Sequence, residues 1–166
     1  RTTPETRAIM KPDHQLNCSN YSPLPLVVQE GRGCIIEDID GFKYIDCLMG
    51  YSSVNLGHHN KAIENEIENQ ISKIYMTARP FYNTRLPNTA KLISEIVGKD
   101  KICIANGGVE ACETALKFAR RWGYRVKNIP ENKAKTVVAA GNFMGRTITV
   151  CGASLEESRY KHFGPY

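Results

Sequence analysis

The chain is short of several things, and each shortage narrows the field. Its 166 residues contain no Cys-x-x-Cys pair although six cysteines are present, which argues against a zinc site of the common spacing. Several of those cysteines sit in apolar runs, where a thiol behaves as a small hydrophobe, and this favours a reducing compartment. No apolar run approaches the ~20 residues that a membrane-spanning helix needs. The net charge of +5 is scattered, with no basic stripe interleaved with aromatics, so neither nucleic acid nor a membrane is the expected partner. Internal repeats and low-complexity tracts are missing, as are the Gly-x-Gly-x-x-Gly and Gly-x-x-x-x-Gly-Lys patterns of dinucleotide and nucleotide loops. The first residue is Arg1 rather than Met, so residues upstream are expected to be missing, and the opening segment shows no apolar core of a secretory signal.

What is present centres on Asn106-Gly107-Gly108-Val109-Glu110. An apolar run, Ile102–Ala105, feeds a Gly-Gly turn, and a helical pattern opens at once. The first N–H groups of a helix lack intrahelical partners and carry the positive end of the dipole, so such a turn can seat a phosphate. Glycine there lets backbone approach the anion and permits positive φ. Alone, Gly-Gly before a helix more often marks only a tight turn. Support comes from Lys135–Ala140, which reads as a second buried strand, followed by Gly141-Asn142-Phe143-Met144-Gly145-Arg146-Thr147. Ligands of open α/β sheets sit at the carboxyl ends of parallel strands, so the two loops are expected to share one crevice. Phe143 could stack on a flat ring and Arg146 could fork a carboxylate. Together these features describe a flat phosphorylated cofactor beside an acidic substrate.

Along the chain, residues 1–20 read as a loose polar arm with Pro4 and Pro12, followed by an extended Tyr21–Pro25. Strands are expected at 26–30, 34–38 and 43–48, forming an antiparallel meander in which Asp40-Gly41 marks a hairpin. A loop over 50–60 leads to Asn60, an N-cap for a helix with Ile63, Ile67, Ile71 and Ile74 on one face. A second amphipathic helix starts at Asn88 and stops at Gly98. A strand over 101–105, a helix over 109–126 and a strand over 135–140 then begin an α/β layer. The domain expectation is an arm and small-domain segment over 1–75, and the beginning of a larger domain over 76–166. His58-His59 reads as a helix-entry loop rather than a metal pair, so no metal is expected. Glu110 and Glu113 read as complements to the helix dipole, and Trp122 as helix core.

Several segments in this order resemble the ornithine aminotransferase family, class III pyridoxal-phosphate (PLP) enzymes of fold type I. They are Asn20–Pro25, Gly50–Asn55, Arg79–Asn83, Gly108–Ala111, Ala119–Tyr124 and Gly141–Thr147. The resemblance implies the N-terminal part of that fold: a small antiparallel meander plus helix, then the start of the large α/β PLP-binding domain. It implies that Gly107, Gly108 and Val109 hold the cofactor phosphate through backbone amides and that Phe143 stacks on the pyridine ring. Tyr21 and Arg146 would bind the α-amino and α-carboxylate end of ornithine, with Tyr51 selecting ornithine over other ω-amino acids. It implies transfer of the δ-amino group to 2-oxoglutarate, a homodimer or higher assembly, and the mitochondrial matrix or cytoplasm, with the matrix preferred. No catalytic residue is assigned within the chain, since the Schiff-base lysine and the aspartate facing the pyridinium are expected beyond Tyr166. The fragment alone is therefore expected to be inactive. The alternatives are a truncated, non-catalytic family product that binds a partner subunit, and an acetylornithine or other ω-amino acid transaminase. The chain departs from the family at Gly107, where relatives carry a hydroxyl residue, and at Met144 and Pro80.

Overall fold

The chain's own turn chemistry fixes most of its local structure. The computed structural model describes residues 2–166 and divides them at Phe81/Tyr82 into two units. The first unit opens with α1 (Pro4–Leu16). This differs from the loose arm expected over 1–20. Thr3 is the N-cap, its hydroxyl accepting the Thr6 N–H at 3.1 Å, and Pro4 lies in the first turn, where its missing N–H costs nothing. The hydroxyls of Thr3 and Thr6 donate to the two oxygens of Asp40 at 2.8 and 2.9 Å. Residues that look like loop polarity are a cap and an anchor to the sheet.

The sheet follows as an antiparallel meander in the order β1 (Val28–Arg32), β2 (Ile35–Asp38), β3 (Lys43–Ile45). Gly31 faces Ile36, and Ile36 in turn faces Tyr44. Asp38, only 4 % exposed, organises the β2–β3 turn. Its carboxylate accepts from the backbone N–H of Asp40 and Phe42 and from the Tyr44 hydroxyl, at 2.8 to 3.0 Å. Burial works against its charge, but these three donors outweigh burial and hold its pKa below the ordinary value. The third strand is shorter than the expected 43–48, because Asp46 turns its carboxylate onto the N–H groups of Leu48 and Met49 and ends the extended run. A single helical turn, α2 (Met49–Ser52), comes next, and Asn60 then caps α3 (Lys61–Ile71) through the N–H groups of Ala62 and Ile63.

The second unit holds α4 (Leu86–Val97), closed by Gly98 at φ 61°, and α5 (Gly108–Arg125), followed by the short α6 (Ile148–Cys151) and α7 (Glu157–Tyr160). α5 packs on α6, and Val150 and Cys151 are the buried apolar side chains among the described residues. The strands expected over 101–105 and 135–140 are not formed; neither segment carries a ladder. A strand exists through its neighbours, and the described residues give these two none. Val137 is consequently 94 % exposed, and Trp122, expected in the core, is 53 % exposed with the Lys127 ammonium 4.8 Å above its ring. The accessible surface is 14179 Å². Two separate compact bodies of this combined mass would expose only about 10,000 Å².

Candidate functional site

The second unit carries the helix start that the sequence marks as a phosphate seat. Gly107 caps α5 in an extended conformation, φ −149°, and the first intrahelical bond runs from the Ala111 N–H to the Gly107 carbonyl at 3.1 Å. The N–H groups of Gly108, Val109 and Glu110 precede that bond and belong to the first turn. A Cβ built on Gly107 or on Gly108 meets no atom within 4 Å, and both residues are exposed. The glycines are therefore not needed for positive φ, one of the two reasons the sequence suggested for them; access to the backbone is what they provide. Glu110 accepts the Asn106 N–H at 2.8 Å, which ties the residue before the cap to the first turn, and its charge complements the dipole.

The loop 141–147 is fastened to this helix start. Gly145 lies against Val109, so closely that a Cβ on it would sit 2.4 Å from Val109 Cγ2, and its φ of +126° suits glycine alone. The Thr147 hydroxyl donates to Glu113 Oε1 at 2.5 Å. Asn142 donates to the carbonyls of Ala139 and Ala153, at 2.7 and 3.0 Å, pinning the loop's start. The loop that bears Phe143 and Arg146 thus lies beside the helix start that bears Gly107, Gly108 and Val109. Phe143 is 60 % exposed, and the Arg159 guanidinium lies 5.1 Å from its ring centroid. One face of the ring is therefore engaged by a cation, with ample ring surface left for a flat group. Sequence reading did not find Arg159, because nothing in a spacing of sixteen residues signals that contact. It also missed the Thr147–Glu113 link and the Val109–Gly145 approach, although Gly145 in the loop was its visible trace.

Tyr21 and Tyr51 lie in the first unit, on separate segments. Tyr21 is exposed in the irregular stretch after α1. Tyr51 is 71 % exposed and sits in α2, where Met49, Gly50, Tyr51 and Ser52 all have positive φ, at 48°, 58°, 52° and 68°. Non-glycine residues at such angles need support from their surroundings, and runs of this kind gather at functional sites. His58 and His59 each pair with a carboxylate, Asp46 at 2.9 Å and Glu64 at 2.6 Å, consistent with their reading as a helix-entry loop.

These features fit what comparison with known proteins finds. The model of the family described as aminotransferase class-III matches residues 17–165. The ornithine aminotransferase of Brevibacillus brevis is 40 % identical over 162 residues, 98 % of this chain and 41 % of its own length. The mitochondrial ornithine aminotransferase of Rattus norvegicus is 39 % identical over 163 residues, 98 % of this chain and 37 % of its own. A solved ornithine aminotransferase from Toxoplasma gondii, with partial occupancy of PLP at its active site, superposes with a TM-score of 0.94 at 37 % identity. That likeness covers 97 % of this chain and 38 % of that one. An acetylornithine aminotransferase from Elizabethkingia anophelis gives 0.73 at 41 % identity, over 78 % of this chain and 34 % of that one. The chain belongs to the class-III aminotransferase family. It has the fold of the N-terminal part of these enzymes, and spans about two fifths of the length of the curated relatives it matches.

Proposed function

We propose that the protein to which this chain belongs is an ornithine aminotransferase that moves the δ-amino group of ornithine to 2-oxoglutarate with PLP. The observation that carries this reading is the joined pair of loops: an exposed helix start at Gly107–Val109, with no side-chain cap, fastened through Gly145 and Thr147 to the loop that bears Phe143 and Arg146. The residues fit the cofactor. The backbone amides of Gly107, Gly108 and Val109 would hold its phosphate, and the exposed Phe143 ring would lie on its pyridine. Bound there, PLP supplies the electron sink through which an amino group can be exchanged.

This chain's own part is binding and orientation. Arg146 offers a planar fork that a carboxylate can meet in two points, which a lysine cannot reproduce. Tyr21 would bind the other polar group at the α-carbon end. Fixing that end leaves the δ-amino group as the one that reaches the cofactor, and Tyr51 would shape the pocket so that ornithine suits it better than shorter ω-amino acids. Phosphate and ring contacts act alike on every substrate, so selectivity rests on Arg146 and the two tyrosines. The reading includes a homodimer and, by analogy with animal relatives named as mitochondrial, the mitochondrial matrix.

The test is turnover by the full-length protein loaded with PLP. Glutamate semialdehyde is expected from ornithine and 2-oxoglutarate. The likeness to an acetylornithine enzyme supports a second reading, favoured instead if kcat/KM for acetylornithine exceeds that for ornithine. Absence of turnover with either would end both.

A further inference from the structure

The turn that carries Tyr51 is held by a side-chain device that sequence reading did not find. Asp46 stands where β3 ends, its backbone N–H bonded to the Cys34 carbonyl at 2.8 Å. Its Oδ1 accepts the N–H groups of Leu48 and Met49, at 3.0 and 2.9 Å, at the entry to the left-handed run. Its Oδ2 meets His58 Nε2 at 2.9 Å, so the same carboxylate also grips the far end of the loop. His58 is itself fixed twice. Its backbone exchanges two 2.9 Å hydrogen bonds with Gly33, and its ring lies on Gly31, where a Cβ would stand 2.9 Å from His58 Cγ. Two points anchored to the sheet thus bracket residues 47–57, with one carboxylate joining them.

A run of four residues at positive φ does not persist unless its surroundings over-determine it. The bonds inside the turn, such as Val54 N–H to the Met49 carbonyl at 3.0 Å, close it without tying it to the sheet. Asp46 supplies that tie. The hydrogen bond from His58 comes first among the causes that hold the Asp46 pKa below its ordinary value, followed by the Met49 N–H, in keeping with a charged carboxylate serving both ends. We propose that Asp46 and His58 are positioning residues: a clasp that fixes the left-handed turn and so sets where Tyr51 is presented, and with it the choice among ω-amino acid substrates.

The selectivity part rests on the role given to Tyr51 above, so the test separates the two. In the full-length protein, Asp46→Ala, Asp46→Asn, His58→Gln and Tyr51→Ile are compared by hydrogen exchange of peptides covering 47–57 and by the kcat/KM ratio of ornithine to γ-aminobutyrate. Asp46→Ala is expected to speed exchange of 47–57 about tenfold or more while peptides of β1 and β2 stay protected. It should also move the substrate ratio in the direction that Tyr51→Ile moves it. Asp46→Asn keeps an oxygen for the Leu48 and Met49 amides and an N–H for a neutral His58, so it should restore both readouts. If Asp46→Ala fails to fold, His58→Gln gives the same reading from the other end of the clasp. Unchanged exchange of 47–57 overturns the clasp. Faster exchange with an unmoved ratio, where Tyr51→Ile does move it, overturns the positioning role. A ratio that Tyr51→Ile leaves unmoved overturns the ornithine reading and the selectivity role with it. The clasp is then upheld by faster exchange or overturned by its absence.

Discussion

Replacing Gly107 by threonine in the full-length protein is expected to tighten PLP binding without disturbing the fold. The site has room: a Cβ at 107 meets nothing within 4 Å. The backbone suits the change, because φ −149° and ψ 167° are extended angles that a β-branched residue readily adopts. Helix stability should hardly move, since threonine and glycine are nearly equal as N-caps and differ by a few tenths of a kcal/mol. What the change adds is one hydroxyl beside the proposed phosphate seat. A hydrogen bond to a charged group contributes about 1.5–3 kcal/mol, or roughly a 10- to 150-fold lower Kd. Gly107→Ala is the control, with the same Cβ and backbone restriction but no hydroxyl. Equilibrium titration of PLP, followed by its absorbance, gives the three constants, and a thermal melt of each apo protein checks the fold. Equal constants for glycine and threonine would refute the assignment of this helix start as the phosphate seat, and so would an equal gain from alanine.

Four further outcomes follow from the same geometry. Arg146→Lys keeps the charge and loses the fork, so kcat/KM for ornithine should fall by roughly 10- to 150-fold, the worth of one charge-assisted hydrogen bond, with the PLP constant unchanged. Gly145→Ala places a methyl on Val109 at a φ of +126°, and should destabilise the junction of loop and helix by about 1–3 kcal/mol, visible as a lower melting temperature and weaker PLP binding. Asp38, Asp46 and Glu64 all have folded pKa values below their ordinary ones. Their contribution is therefore complete above the unfolded values, near pH 4, and is lost as pH falls through the lower folded values; Asp46→Asn should flatten that acid limb in a pH series of denaturant melts. The isolated 166-residue chain should bind a hydrophobic dye and self-associate through its exposed apolar side chains, and a monomeric, dye-silent chain with a sharp melt would contradict this.

Elements that depend on residues a few positions apart were legible in the sequence. Asn60 announces α3, Gly98 ends α4, and Asp40-Gly41 marks a hairpin turn that Asp38 completes from just upstream. Helix α1 was misread although its signals are equally local: Thr3, Pro4 and Glu5 form a good helix start, but Pro12 and the low apolar content suggested a loose arm. Its anchoring partner, Asp40, is more than thirty residues away. The segments 101–105 and 135–140 show the opposite limit. Their composition is right for buried strands, yet composition sets only the capacity to pair, and the ladder itself needs neighbours distant in sequence. α5 formed regardless, because a helix closes its hydrogen bonds within itself.

The same distinction explains which parts of the candidate site were readable. The proposed phosphate seat is a strand-like run, two glycines and a helix start, all within a dozen residues, and general physics gives the pattern meaning. The neighbouring loop was placed beside it by the rule for α/β sheets. That placement holds without the sheet, because the Val109–Gly145 approach and the Thr147–Glu113 bond fasten loop to helix directly. Loop and helix thus meet without the strands on which the rule depends, which are absent from the described residues. Tyr51 had no local mark beyond an adjacent glycine, and its importance came from family likeness alone. The structure adds an independent physical reason to attend to it: a tyrosine held at positive φ in an exposed turn is a costly arrangement, and Asp46 and His58, twelve residues apart, are arranged to hold it.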